Sequence, residues 1–164
     1  MKKLLSILTF LTLFVMTMPA QQVYDMVLDN ATRTVNNPTS NFTQVKIAQF
    51  KKTALTYMRQ QEAADSIIDF RVLDFQAYYL NQFLTLYLRE FINYSAPNKG
   101  DMLSTVVKLF IKASLDCPMW NDPDTETTQA YIGDNEELTP FSIDTDWQKA
   151  YEEVQILLNQ LPNP

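Results

Sequence analysis

Histidine is absent from the 164 residues, cysteine occurs once, at Cys117, and glycine twice, at Gly100 and Gly133. Without His, the commonest general base, the usual nucleophile triad and every His-ligated metal site are excluded. A single Cys excludes thiolate zinc clusters and an intrachain CxxC redox pair. Two glycines 33 positions apart cannot build a glycine-rich phosphate loop. Apolar–polar alternation over a strand's length is missing as well, which leaves helical periodicity as the dominant pattern. An enzyme built on what remains would work with carboxylates, Tyr, Lys or Ser. The familiar chemistry open to it is a glycosidase-type carboxylate pair, with Glu90, Glu126 and Glu136 as candidates.

What is present begins with an export signal. Lys2 and Lys3 precede an apolar run from Leu4 to Met18 that only Ser and Thr interrupt, and Met18-Pro19-Ala20 closes it before Gln21-Gln22. That order reads as a cleavable secretory leader. The run is shorter than the roughly 20 residues a bilayer-spanning helix needs, and polar sequence follows at once. Met18 is larger than the small residue usual two positions before the cut residue. Cleavage after Ala20 leaves residues 21–164 as one domain, secreted or periplasmic, of a length that buries nearly 70% of its unfolded surface without disulfides. In that setting Cys117 is expected to be buried rather than reactive.

Charge is divided unevenly. Residues 21–115 hold ten cations and eight carboxylates, whereas residues 116–164 hold eleven carboxylates and a single cation, Lys149. A field of that sign repels phosphate backbones and anionic membranes, which argues against nucleic acid as a partner. It suits either a solvated face or a surface that attracts cations or a basic protein.

Five principal helices are predicted. The first runs from Gln22 to Val35, with Val23, Met26, Val27 and Ala31 on one side, and Asn36-Asn37-Pro38 stops it. The second follows Thr39 and Ser40 to about Glu62, with Ile47, Phe50, Ala54, Leu55 and Met58 on one face. Lys46, Lys51, Lys52 and Arg59 make it the most basic helix and suggest that it neutralises part of the acidic last third. The third, Leu73 to Tyr94, confines Asn81, Gln82, Thr85, Arg89 and Asn93 to a narrow stripe and is apolar elsewhere, so it belongs at the centre of a bundle. Its aromatic ladder, Tyr79, Phe83, Tyr87 and Phe91, reads as core filling, with a ligand groove as the other reading. The fourth, Asp101 to Asp116, carries Met102, Leu103, Val106, Val107, Phe110, Ile111 and Leu115 on one face. The short link through Pro97-Asn98-Lys99-Gly100 makes it an antiparallel neighbour of the third. The last runs from Thr145 to about Leu161, with Thr145 and Gln148 at capping-box spacing and Trp147 as core anchor.

The connection from Cys117 to Ile143 is longer than compact domains usually leave unstructured. Asp122, Pro123 and Gly133 outline a short helix inside it. Asp122, Asp124 and Glu126 at alternate positions resemble the opening of a calcium loop, though the glycine at its sixth position and the glutamate at its twelfth are missing. Trp120, Asp134, Glu136 and Glu137 are the candidate partner-binding residues. Asn-x-Ser/Thr triplets at Asn30, Asn41 and Asn93 matter only in a host that glycosylates such sites, and with Asn30 and Asn93 on predicted helices chance is the better explanation. The sequence therefore predicts an all-α, single antiparallel bundle of four to five principal helices with a short helix in the 117–143 connection. Its expected function is that of an exported, non-catalytic interaction module with no cofactor, a calcium ion at Asp122, Asp124 and Glu126 being the minority reading, and the alternative function being a carboxylate-based glycoside hydrolase acting on polysaccharide.

Overall fold

The computed structural model describes residues 22–64, 67–95, 100–120 and 141–161. The expected leader, the short helix within the connection, the calcium candidates Asp122, Asp124 and Glu126, and the partner candidates Asp134, Glu136 and Glu137 lie outside the described residues. Those that are described form five helices, α1 (Gln22–Asn36), α2 (Phe42–Ala64), α3 (Phe70–Tyr94), α4 (Gly100–Leu115) and α5 (Trp147–Asn159), and no strand. None of these helices is long and apolar enough to cross a membrane.

Helix α3 packs against all four others, while α1 packs on α2 and α4 on α5. This is the position that its wide apolar arc requires. Leu73, Ala77, Leu80, Phe83, Leu84 and Tyr87 are buried along it. Aromatic rings tie the two helix pairs together across it. Phe83 meets Phe110, Phe141 and Trp147 at centroid distances of 5.2, 5.5 and 5.4 Å, and Phe141 also meets Phe50 at 5.7 Å and Tyr87 at 5.0 Å. All are edge-to-face, the arrangement that places a positive ring edge against a negative ring face. The ladder thus divides as core filling demands, with Phe83 and Tyr87 buried and Tyr79 and Phe91 half-buried against the core.

The helix ends show why each element stops where it does. Asn41 and Gln44 form a reciprocal capping box at the start of α2, each side-chain oxygen accepting the other's backbone N–H, at 2.9 and 3.0 Å. Asp69 caps α3 by accepting from the Arg71 amide at 2.9 Å. The N-terminal turn of α1 is closed from a distance, since the Tyr24 amide donates to Asp74 of α3 at 2.9 Å. A carboxylate there also complements the positive end of the helix dipole.

Three expectations are corrected. On α1 the buried face is Tyr24, Val27 and Ala31, and Met26 is exposed. At 3.6 residues per turn Met26 lies about 200° from Tyr24, and the Tyr24 hydroxyl finds the Leu55 carbonyl at 3.0 Å, which lets a polar-tipped ring enter the core. On α4 Leu115 is half exposed and Ser114 is buried. Leu115 falls about 180° from Val106, on the far side of the helix from Phe110 and Ala113. Helix α5 is capped by Asp146, whose carboxylate accepts from the Lys149 amide at 3.3 Å, and Thr145 is buried instead.

Candidate functional site

The return of the chain from the acidic connection is built around buried polar groups. Asp144, 8% exposed, accepts through one oxygen, Oδ1, from the amides of Met119 at 3.2 Å and Trp120 at 3.0 Å. The Asp146 amide donates to the Cys117 carbonyl at 2.7 Å. The Ser142 amide donates to Ser114 Oγ at 3.3 Å, and Thr145 Oγ1 sits 3.1 Å from the Ser114 carbonyl and 3.0 Å from that of Ser142. Gln76, buried on α3, completes the set: its Oε1 accepts from the Trp147 amide at 2.8 Å and its Nε2 donates to Asp146 Oδ1 at 3.3 Å. Residues 114–120 and 141–147 are thereby stapled to each other and to α3. The connection leaves and re-enters the core at one point.

Trp120 stands at that point. Its ring is half-buried, edge-on to Tyr57 at 5.8 Å, and it packs against the core. It therefore anchors the origin of the acidic connection as well as lying beside it.

The described carboxylates of the last third are all engaged within the fold. Asp116 pairs with Lys112, which also lies 3.5 Å from Glu153. Glu152 accepts from Gln148 at 2.8 Å, and Asp146 pairs with Lys149 at 3.0 Å. Burial raises the Asp146 pKa, but the Lys149 side chain and amide and the Gln76 amide outweigh it and hold the carboxyl below its ordinary value. The basic residues of α2 do not meet these acids. Lys51 donates to Asn81 of α3 at 2.7 Å, Lys46 lies 4.4 Å from the Phe42 ring centroid, and among the described residues none of Lys46, Lys51, Lys52 and Arg59 pairs with a carboxylate of the last third. Lys51 thus satisfies an amide of the central helix, and the expected neutralisation is left to the carboxylates of residues 121–140, which lie outside the described residues.

Cys117 is buried, and its thiol donates to Glu153 Oε2 at 3.3 Å. Burial, then the Glu153 carboxylate and the negative charges of Asp146 and Asp116, push its pKa up to about 11. Since the thiolate is the reactive form, the thiol is inert at neutral pH. Maleimide labelling of the folded protein is expected to be negligible at pH 7 and to rise about tenfold per pH unit toward that value. Glu153→Gln removes the acceptor charge and leaves burial in place, so labelling should shift to lower pH; rapid labelling of the parent chain at neutral pH would contradict this account.

Two cavities open elsewhere. One, of about 510 Å³, lies where α1 ends and α2 begins, with Ile47 and Leu88 as apolar wall and Asn, Thr, Ser and Gln side chains around Lys51. The other, of about 380 Å³, lies between the last turns of α3 and α5 and contains Glu90, which is held by Arg89 at 2.8 Å. Glu90 is the one carboxylate among the described residues lining it, whereas a glycosidase pair needs two across a cleft. Glu126 and Glu136 lie outside the described residues. No group of three or more His, Cys, Asp or Glu residues placed to hold a metal occurs among the described residues.

The sequence reading missed Gln76, Ser114 and Asp144, which organise the return of the chain. It also missed Phe75 and Tyr78, exposed beside Tyr79 at centroid distances of 4.9 and 5.2 Å. A glutamine among Leu73, Ala77 and Leu80 was the available signal for the first, because a buried amide requires partners. No family model, curated protein or solved structure matches the chain.

Proposed function

We propose that the protein is an exported, non-catalytic interaction module that presents the acidic connection, residues 121–140, to a basic protein surface. The observation that carries this reading is the anchoring of both ends of that connection at one place. Trp120 enters it with its amide on Asp144, and Phe141 leaves it buried among aromatic rings. Holding both ends of a binding segment at one place lowers the entropy cost of engaging it. The charge pattern supports the same segment. Asp116, Asp144, Asp146, Glu152 and Glu153 serve the fold, and the other six carboxylates of the last third, Asp122, Asp124, Glu126, Asp134, Glu136 and Glu137, all fall within this segment. Charged rims of this kind chiefly accelerate and select encounters, with strong salt dependence.

Carbodiimide cross-linking in the native envelope tests the reading, because it joins carboxylates directly to contacting lysines. A heteromeric product is expected from the parent chain, and it should disappear in high salt and when those six carboxylates are changed to Asn or Gln. A product that survives neutralisation, or none from the parent chain, would refute it. Intact-mass measurement of the same material tests export, with loss of residues 1–20 as the expected result.

A further inference from the structure

The 510 Å³ cavity at the α1–α2 junction has a size typical of small-ligand sites and a lining divided by chemistry. Three hydroxyl groups on its wall have already committed their protons. Thr34 donates to the Asn30 carbonyl at 3.0 Å, Ser40 to the Thr34 carbonyl at 2.9 Å, and Thr39 to Asn37 Oδ1 at 2.9 Å. What these oxygens retain is acceptor capacity. The amides are committed in the opposite sense. Asn37 Oδ1 also accepts from the Thr39 amide at 3.1 Å and Gln44 Oε1 from the Asn41 amide at 3.0 Å, so both side chains keep their NH₂ groups as donors.

Lys51 supplies the charge. It lines the cavity, spends one N–H on Asn81 at 2.7 Å, and makes no ion pair with a described carboxylate. No acidic residue lines the cavity among those described. A half-buried ammonium with two N–H groups unclaimed among the described residues, opening on a cavity that no described carboxylate lines, is matched by an anion brought from outside.

We propose that this cavity binds a small hydroxylated carboxylate of the sugar-acid class, with the carboxylate on Lys51 and the neighbouring amide donors and the ligand hydroxyls donating to Thr34, Thr39 and Ser40. Both halves of the lining select this class. A small inorganic anion such as phosphate would use the ammonium but bring too few hydroxyls to serve all three acceptors, and a neutral sugar would leave the ammonium unpaired. Burial lowers the Lys51 pKa, and a bound carboxylate restores it, so binding takes up protons wherever part of the lysine is neutral. The site lies on different elements from the acidic connection and does not depend on what that segment binds.

Titration calorimetry and thermal melting of the full domain with D-glucuronate, D-glucose and inorganic phosphate test the assignment. D-Glucuronate is expected to bind and to raise the melting temperature, and glucose and phosphate to bind at least about tenfold more weakly, the scale of one charge-assisted hydrogen bond. Lys51→Met should abolish the glucuronate response while leaving the unliganded melting temperature equal or higher, since it removes a half-buried cation. Thr34→Val, close in shape, should weaken glucuronate several-fold and leave phosphate unchanged. Absence of glucuronate binding, binding equal to that of glucose or phosphate, or an undiminished response in Lys51→Met would overturn the proposal.

Discussion

Replacing Trp147 with alanine is expected to lower the unfolding free energy by about 3–5 kcal/mol, the usual cost of truncating a large buried aromatic side chain. The site offers little means of collapse. Trp147 is fully buried, and its indole stands edge-on to Phe50 at 5.8 Å and to Phe83 at 5.4 Å, rings that are themselves held by Phe141 and Phe110. Its backbone is fixed by Gln76, so the first turn of α5 cannot slide into the void. Against a total stability of roughly 5–15 kcal/mol, such a loss leaves a marginal domain, and the melting temperature should fall by about 10 °C.

Trp147→Phe separates packing from polarity at the same position. The indole Nε1–H is buried with no hydrogen-bond partner among the described residues, a condition that costs about 1–3 kcal/mol. Phenylalanine removes that burden while leaving a smaller void than alanine does, so its net loss should be below about 1.5 kcal/mol. Chemical denaturation of both variants beside the parent measures the difference. An alanine variant within about 1 kcal/mol of the parent would mean that the aromatic cluster is not the centre of the core.

Trp147 was legible in the sequence, and so was most of the helical framework. Periodicity reports which side chains share a face, and on α2 the residues so identified, Ile47, Phe50, Ala54, Leu55 and Met58, are all buried. It also reported the central place of α3, because few residues interrupt its apolar arc. Periodicity does not report a polar atom's distant partner. Tyr24 enters the core only because a carbonyl thirty-one residues away receives its hydroxyl, and Gln76 is buried only because the turn into α5 offers it a donor and an acceptor. The capping pattern at Thr145 failed for the same reason. Its hydroxyl is taken by the carbonyls of Ser114 and Ser142, and the next residue, Asp146, assumes the cap. Charge counting located the acidic last third but could not divide it into carboxylates that serve the fold and those of the connection. That division needed the contacts of Lys112, Lys149, Gln148 and the Met119 and Trp120 amides.

Asp144 is where fold and proposed function meet, and Asp144→Ala is expected to cost about 2–4 kcal/mol. Hydrogen bonds to a charged acceptor contribute about 1.5–3 kcal/mol, and two backbone amides that share one carboxylate oxygen would lose it together. Methyl cannot replace that oxygen, and a site 8% exposed admits little water to do so. Asp144→Asn keeps an oxygen in place without the charge and should recover roughly half of the loss. The damage should also be local. Hydrogen exchange at the Met119 and Trp120 amides is expected to accelerate far more than exchange in the middle of α3, because opening of the staple then precedes global unfolding. If both regions accelerate equally, the staple is part of the global cooperative unit and does not hold the connection separately. Loss of the Asp144 carboxylate removes the hold on the Met119 and Trp120 amides at one end of the connection, which raises the entropy cost to a partner of engaging it. Under physiological salt, cross-linking to that partner should therefore weaken in Asp144→Ala even though all six carboxylates of the connection remain, and Asp144→Asn should restore most of it.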